Sequence, residues 1–487
     1  MSTHDDGYYL HHAPVGRALA HLALPMMAAT TVGVVYGAVN AGFIGSLHST
    51  ALLAAVTFGL PLTAVVMAIG GVLGTGGSTA VSRLLGELHA LGPTDHGTAA
   101  ALRARIRGLS AFTVWGAAVA GVVVGVAGLL ALHPLTHLLG ATGDAVGPTT
   151  DYVAVLLAGT PVLAAAFAVE QLVRAEGAAR VSMTGIVVST AVNLALDVLL
   201  ILVLRWGVTG AALAIVGANV VAVGWFATHL HRHSGEVRIG LRWFRPDAAT
   251  ARTVLGVGVS ELLMSGFLTV TAVVFNNVAA RYGDGVLAAF GLAQRIVQLP
   301  EMLAMGVALG VMPLLGTAFG ARDTGRLRAA LVHAGSWVAA CVLVFTLPVF
   351  VLRERVLTLF SADPVVLTTG LSVLTAMLVA ALFNGFTGLV TTTFQATGQG
   401  GPAAVMSVVQ GVLFVPVLLA ARWALGLAGV VWAMPVTEVA CFAFAVVLFA
   451  ARRSQTVPTA AQPTSDCVPS TTASASRSAS GLPGSAV

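Results

Sequence analysis

The chain contains no lysine, and charged residues of every kind make up only 9% of its 487 residues. Soluble globular domains are about one-quarter charged, so the composition excludes that class of protein. Without lysine, the chain cannot form a Walker A phosphate-binding loop or a Schiff-base active site. The small residues at positions 74–78 are therefore interpreted as a surface for close packing of membrane helices.

Metal-binding and redox patterns are also scarce. The three cysteines form no CxxC or Cys/His pair, which predicts neither a disulfide framework nor a zinc site. The alternating histidines at positions 229–233 point to different faces of a helix, a poor arrangement for metal ligands. No metal ion or other cofactor is expected apart from a coupling ion. The net charge of +5 is not gathered on a soluble face, so nucleic acid is not expected as a partner.

Long apolar runs dominate the rest of the chain. Hydrophobic residues make up 57% of it, and the mean hydropathy is +0.92. Runs of roughly 20 apolar residues separated by short polar gaps indicate membrane-spanning helices, and the chain is expected to lie in a lipid bilayer. The twelve predicted spans are 20–43, 50–80, 109–132, 150–173, 181–204, 208–231, 253–280, 286–318, 330–352, 366–394, 403–421 and 425–450.

The distribution of arginine predicts the orientation of these spans. An even number of spans puts both termini on one side, and the gaps on that side hold most of the arginines. By the positive-inside rule, both termini face the cytoplasm, in the inner or plasma membrane of the cell. The first residues lack a basic region and a cleavage site, so no signal peptide is predicted. The opposite gaps hold only Arg205, Arg281, Arg353, Arg355 and Arg422.

The sequence repeats itself. Residues 52–62, LLAAVTFGLPL, resemble 286–296, VLAAFGLAQRI, and both Ala55/Ala289 and Gly86/Gly320 are 234 positions apart. RAEG and RWGVTGAALA in the first half parallel QATG and RWALGLAGVVWA in the second. Two six-helix units then share one orientation, related by a pseudo-two-fold axis along the membrane normal. The predicted fold is an all-α integral membrane protein of twelve transmembrane helices in two six-helix lobes. Its parts are a cytoplasmic segment (1–15), an N-lobe (16–232), a cytoplasmic linker (233–252), a C-lobe (253–451) and a disordered cytoplasmic tail (452–487).

Several motifs together resemble a known family. They are LALPMMAATTVGVVYGAVNAGFIGSL, GSTAVSRLLGE, LVRAEGAARVSM, NLALDVLLI and GVTGAALAIV, which occur in this order from the first span to the sixth. The series is similar to the multidrug and toxic compound extrusion (MATE) transporters, in the prokaryotic branch with the DNA-damage-inducible and multidrug efflux members. The resemblance implies two lobes around a central cleft and export of organic, often cationic, compounds in exchange for protons or sodium ions.

The resemblance also implies an ion site in the N-lobe. Its fourth-helix tyrosine falls on Tyr152, and the NxxxD pair of the fifth helix falls on Asn193 and Asp197. Four residues apart, Asn193 and Asp197 share one helix face, and a carboxylate inside a span is a functional hypothesis by default. The family's first-helix aspartate aligns with Asn40, an amide that cannot take up a proton near neutral pH. A sixth-helix threonine aligns with Ile215.

Other ionisable residues lie within or near spans. Glu170 and Arg174 have the spacing of an i, i+4 ion pair. A further set is interpreted as structural or as a substrate or second ion site, with Arg295 expected to pair with a glutamate. This set comprises Glu261, Arg295, Glu301 and Glu438.

These features predict a secondary active efflux transporter, an antiporter that exports amphipathic organic cations in exchange for H⁺, with Na⁺ as the alternative. It is expected to act on small molecules as a monomer and without enzymatic chemistry. One rival is a flippase or exporter of a lipid-linked precursor or of a natural product of the host. An integral-membrane enzyme would need clustered His, Asp and Glu at one membrane face, which the sequence lacks.

Overall fold

Twelve long helices make up the computed structural model, which describes residues 3–46, 50–92, 94–360 and 363–456. The predicted twelve spans are confirmed, while most of the predicted tail lies outside the described residues. The helices are α1 Val15–Ser46, α2 Thr50–Ala90, α3 His96–Leu130, α4 Val146–Ala175, α5 Ala179–Asp197, α6 Gly207–His233, α7 Ala248–Ala279, α8 Asp284–Gly320, α9 Thr324–Val351, α10 Pro364–Ala396, α11 Gly400–Leu425 and α12 Leu427–Ala451.

Two of these helices extend well beyond the bilayer. With 41 residues, α2 is about 60 Å long at 1.5 Å per residue, twice the thickness of the hydrocarbon core. Helix α8 has 37 residues. Helix α2 ends ten residues after the predicted span, because hydropathy marks the apolar part of a helix and not its polar extension. Both α2 and α8 end on the side where α1 begins and α12 ends, which we call the terminal face.

The turns after α4 and α10 have the same geometry, as the internal repeat predicts. Gly177 follows α4 with φ of 85°, and Gly398 follows α10 with φ of 77°. In each turn, the glycine N–H donates to the carbonyl three residues earlier, at 2.8 Å for Gly177 and 3.0 Å for Gly398. Left-handed backbone favours glycine here, which explains why RAEG and QATG both end in it.

Reciprocal contacts between α2 and α8 confirm the two-fold relation of the lobes. A Cβ added at Gly86 would lie 2.1 Å from the carbonyl oxygen of Thr317, and one added at Gly320 would lie 2.0 Å from that of Arg83. Thr317 follows Arg83 by 234 positions, as Gly320 follows Gly86. Each lobe therefore presents the same glycine and the same carbonyl to the other, as a two-fold interface requires.

A second reciprocal set links α1 with α8 and α2 with α7. A Cβ at Gly310 would lie 2.5 Å from the Cα of Ala23, and one at Gly76 would lie 2.0 Å from the carbonyl oxygen of Val254. Gly310 also follows Gly76 by 234 positions. Among the described glycines, the close inter-lobe backbone contacts all lie in the half of the bundle nearer the terminal face. The lobes are thus closed against each other on that side.

A short N-terminal helix, Thr3–His11, covers the closed interface at the terminal face. Leu10 and Ala13 are buried in the core cluster that α1, α8 and α9 share. Arg326 of α9 donates to the carbonyl oxygens of Tyr9 and Ala13 at 2.7 and 2.9 Å. The guanidinium thereby satisfies carbonyls that the end of the short helix leaves without partners. The helix thus joins the first residues of the chain to the C-lobe.

His11 makes this docking sensitive to pH. Its ring stacks on His89 with 3.8 Å between centroids, and burial, followed by the charges of His89, His12 and Arg326, lowers its pKa to about 3. An undocked helix would return the pKa to about 6.5. The undocked state then binds more protons below about pH 6.5, so acidification favours undocking.

We therefore expect residues 3–11 to exchange amide hydrogens faster at about pH 5.5 than at about pH 7.5, after correction for intrinsic rates. Hydrogen–deuterium exchange with mass spectrometry measures this. In His11→Gln the difference between the two pH values should become smaller, because the side chain no longer titrates and only the lowered pKa of His89 remains. Equal protection of the wild-type segment at both pH values would contradict the assignment.

The linker between the lobes is fixed to the N-lobe. Trp115 of α3 donates its indole N–H to the carbonyl oxygen of Ile239 at 2.8 Å. Phe112 stacks on Phe244, and Arg103 pairs with Glu236 at 3.0 Å. Residues 234–247 therefore pack on the N-lobe up to the start of α7.

Candidate functional site

Three of the predicted site residues meet inside the N-lobe. Tyr152 of α4 and Asn193 and Asp197 of α5 are 3%, 6% and 4% exposed. Asn193 and Asp197 share one face of α5, as their spacing predicts. Tyr152 lies close enough to Asp197 to interact with its charge. A buried polar cluster therefore lies between α4 and α5.

Tyr36 of α1 completes the cluster. Its hydroxyl donates a hydrogen bond to Oδ1 of Asn193, and it lies within electrostatic range of both Asp197 and Tyr152. Tyr36 is not among the residues predicted for the site. The signal was present, since it is the one tyrosine in the apolar run of the first span. Three helices, α1, α4 and α5, thus supply the site.

Asp197 is also the last α-helical residue of α5. The next residues, Val198–Val203, form a π-helix, in which the N–H of Leu204 donates to the carbonyl of Leu199 at 2.9 Å. Short π-helical segments occur frequently at functional sites because they shift the side chains that follow. The change of helix type marks Asp197 as the point where α5 departs from regular geometry.

Gly59 of α2 makes room for the tyrosine ring. A Cβ at this position would lie 2.4 Å from Cε1 of Tyr152. Ile215 of α6 packs against the apolar cluster that surrounds Tyr152. An aliphatic side chain therefore occupies the position that aligns with the sixth-helix threonine of the family. These contacts hold the Tyr152 ring beside Asp197.

Asn40 forms no described hydrogen bond with the cluster. It is half-buried on α1, and no hydrogen bond found among the described residues joins it to Tyr152, Asn193 or Asp197. Tyr36 lies about one helical turn before it and contacts Asn193 instead. The position of the family aspartate is therefore occupied by an amide that lies one turn after Tyr36 on the same face of α1.

The buried carboxylate of Asp197 has no basic partner in the described part of the chain. The described salt bridges are Arg103–Glu236 and Arg174–Glu170. A buried charge without a partner is costly, and binding of a proton or a cation removes that cost. The phenol of Tyr36 and the amide of Asn193 supply neutral polar groups beside it. The arrangement is chemically suited to reversible binding of a small cation.

Glu261 lies at the closed interface between the lobes. Gln395 donates to its carboxylate at 3.2 Å, and Thr75 of the opposite lobe also hydrogen-bonds it. Arg174 lies nearby and pairs with Glu170 at 3.0 Å, which confirms the predicted i, i+4 pair. Glu261 therefore belongs to the inter-lobe contact.

The expected ion pair of Arg295 does not form. Arg295 is exposed, and no described salt bridge joins it to Glu261 or Glu301. Six residues separate Arg295 from Glu301, which places their side chains about 120° apart around α8. Glu301 and Glu438 instead lie together in the C-lobe, close enough for their charges to interact.

Comparison with known proteins gives consistent matches. A family model described as MatE matches residues 99–199 and 261–419. The multidrug export protein MepA of Staphylococcus saprophyticus is 32% identical over 434 residues, covering 89% of this chain and 93% of that protein. The MepA protein of Staphylococcus aureus strain MRSA252 is 31% identical over 453 residues, covering 93% and 97%.

Solved structures share the fold. A MOP superfamily transporter from Pyrococcus furiosus superposes with a TM-score of 0.81 at 24% identity, covering 93% of this chain and 99% of that one. A multidrug resistance MATE family transporter, described as outward-facing, gives a TM-score of 0.82 at 24% identity and the same coverage. The two-lobe arrangement of twelve helices is common to all three proteins.

Proposed function

Because the chain belongs to the MatE family of multidrug and toxic compound extrusion transporters, we propose that it exports amphipathic organic cations in exchange for protons bound at Asp197. It is a multidrug efflux transporter and not an enzyme. The observation that carries the proposal is the buried Asp197 carboxylate, which has no basic partner among the described residues and is enclosed by Tyr36, Tyr152 and Asn193.

A proton is favoured over sodium by the groups around Asp197. Sodium is a hard cation that oxygen ligands hold, and the cluster supplies a single charged oxygen ligand, the carboxylate of Asp197, beside two phenols and one amide. The amide oxygen of Asn193 already accepts the hydrogen bond of Tyr36. A single carboxylate suffices to take up one proton and to release it when the site opens to the other side of the membrane. We assign proton coupling to this carboxylate alone.

The topology proposed for the exporter follows from the arginines. Most of them lie at the terminal face, so this face is assigned to the cytoplasm and the protein to the cell membrane. The closed lobe contacts near that face then correspond to an outward-open transporter. One chain contains both lobes, and we propose that it works as a monomer.

Transport in proteoliposomes tests the coupling ion. In sodium-free buffer, we expect a proton gradient directed against the movement of a fluorescent organic cation to accelerate transport of that cation at least about fivefold over transport at equal pH. Coupling free energies of 1–3 kcal/mol are typical. An inward sodium gradient at equal pH should have no such effect. Acceleration by sodium alone would assign the site to Na⁺, and the absence of transport of every cation would overturn the proposal.

A further inference from the structure

Four polar side chains from four helices form a continuous chain inside the C-lobe. The amide of Asn384 on α10 lies beside the carboxylate of Glu301 on α8, and the amide of Gln410 on α11 lies beside the carboxylate of Glu438 on α12. Between them, Nε2 of Gln410 donates to Oδ1 of Asn384 at 3.4 Å. Two amides thus connect two carboxylates. We call this set the amide-linked carboxylate pair.

The hydrogen-bond donors of this set do not satisfy its acceptors. The amide nitrogen of Gln410 donates its described hydrogen bond to Asn384 and not to Glu438. Oε2 of Glu438 is buried, and no described residue donates a hydrogen bond to it. A buried acceptor without a donor costs about 1–3 kcal/mol, and more when it is charged.

The charges of the pair are also unbalanced. Glu301 and Glu438 repel each other, and neither takes part in a salt bridge within the described residues. The nearest arginine along α8, Arg295, is exposed and lies on another face of the helix. A ligand that carries positive charge would relieve the repulsion and satisfy the orphaned oxygen.

Three aromatic rings lie next to the pair. Phe442 follows Glu438 by four residues on α12, so both lie on the same helix face, and Phe383 precedes Asn384 on α10. The ring of Phe442 lies 5.6 Å from that of Phe383 and 5.8 Å from that of Phe386, measured between centroids. All three rings are partly exposed. They form a surface on which an organic cation can be held by cation–π attraction.

We propose that the amide-linked carboxylate pair and the Phe442 ring cluster together bind an organic cation, and that dications bind more tightly than monocations. The three rings add cation–π attraction to the charge of the carboxylates, which favours an organic ammonium over a strongly hydrated inorganic ion. The inference rests on the proposed export of organic cations. It assigns the exported compound to the C-lobe and leaves Asp197 of the N-lobe to the coupling proton.

Two fluorescent dyes test the proposal on the purified full chain in detergent. Ethidium and propidium share one planar aromatic system, but propidium carries a second, quaternary ammonium charge. We expect the wild type to bind propidium more tightly. Glu301→Gln and Glu438→Gln should each weaken propidium about tenfold or more, and ethidium less, because each removes one of the two charges. Phe442→Leu should weaken both dyes about threefold.

Controls separate binding from folding and from coupling. Glu354→Gln removes an exposed carboxylate of the C-lobe and should leave both affinities unchanged. Glu438→Asp keeps the charge and should keep the preference for propidium, even where Glu438→Gln fails to fold. Asp197→Asn should still bind both dyes and keep the preference for propidium, with both affinities lowered by the same factor because the coupling to the proton is lost.

Three results would overturn the inference. The first is unchanged propidium affinity in Glu301→Gln and Glu438→Gln proteins that melt at the wild-type temperature. The second is loss of binding in Asp197→Asn with retention in Glu438→Gln, which would place the cation in the N-lobe. The third is a wild type that binds neither dye. Full pH-driven export by Asp197→Asn with normal dye binding would instead contradict only the coupling role of Asp197.

Discussion

Replacing Asp197 by Asn is expected to abolish export that a pH gradient drives, while the protein still folds and binds its substrate. Asparagine has nearly the same shape and keeps the polar contacts of a buried site that is 4% exposed, but it cannot hold a proton. Coupling free energies of 1–3 kcal/mol correspond to about a 5- to 150-fold loss of the stimulation by the gradient. Efflux from proteoliposomes, with and without the gradient, measures this.

A neighbouring acid provides the matched control. Asp151 precedes Tyr152 on α4 but is exposed, so Asp151→Asn removes one carboxylate near the site without changing the buried cluster. Its stimulation should equal that of the wild type. Tyr36→Phe removes only the hydroxyl that donates to Asn193 and should give an intermediate loss. Full stimulation in Asp197→Asn would show that the coupling proton binds elsewhere.

Adding one methyl group at Gly320 is expected to hold the transporter open at its terminal face. The new Cβ would lie 2.0 Å from the carbonyl oxygen of Arg83, and backbone atoms cannot rotate away as a flexible side chain can. Overpacking of this kind costs about 1–3 kcal/mol, which shifts the equilibrium between closed and open states about 5- to 150-fold. By the two-fold relation, Gly86→Ala should act in the same way.

Distances between spin labels at two exposed positions of the terminal face, Glu87→Cys and Arg328→Cys, report this shift. In a background without the native cysteines, Gly320→Ala should move the distance distribution toward longer values. Gly291→Ala on the same helix is the control, because a Cβ there meets nothing within 4 Å. An unchanged distribution in both Gly320→Ala and Gly86→Ala would show that these contacts do not determine closure.

Repetition in the sequence predicted more of the fold than periodicity did. The offset shared by Gly86 and Gly320 predicted equivalent positions, and the structure places them in reciprocal contacts across the interface. The π-helix after Asp197 could not be predicted, since VLLILV is equally compatible with an α-helix. Hydropathy likewise gave no sign of how far α2 extends, because that extension depends on packing against the opposite lobe.

The sequence likewise predicted only some residues of the candidate site. Asn193 and Asp197 were predictable because a fixed spacing on one helix places both side chains on one face. Tyr36 was missed because its partner is 157 residues away, and only the packing of α1 on α5 brings them together. The pairing expected for Arg295 failed for the opposite reason. Glu301 is close to Arg295 in sequence, but the helical rotation between the two positions places their side chains on different faces of α8.

Substrate-induced proton release from the purified transporter tests the central claim most directly. In a weakly buffered detergent solution with a pH indicator, we expect propidium to release about one proton per bound molecule from the wild type. Asp197→Asn should bind the dye and lack this release. Equal release from both proteins, or binding by the wild type without any release, would contradict the assignment of the coupling proton to Asp197.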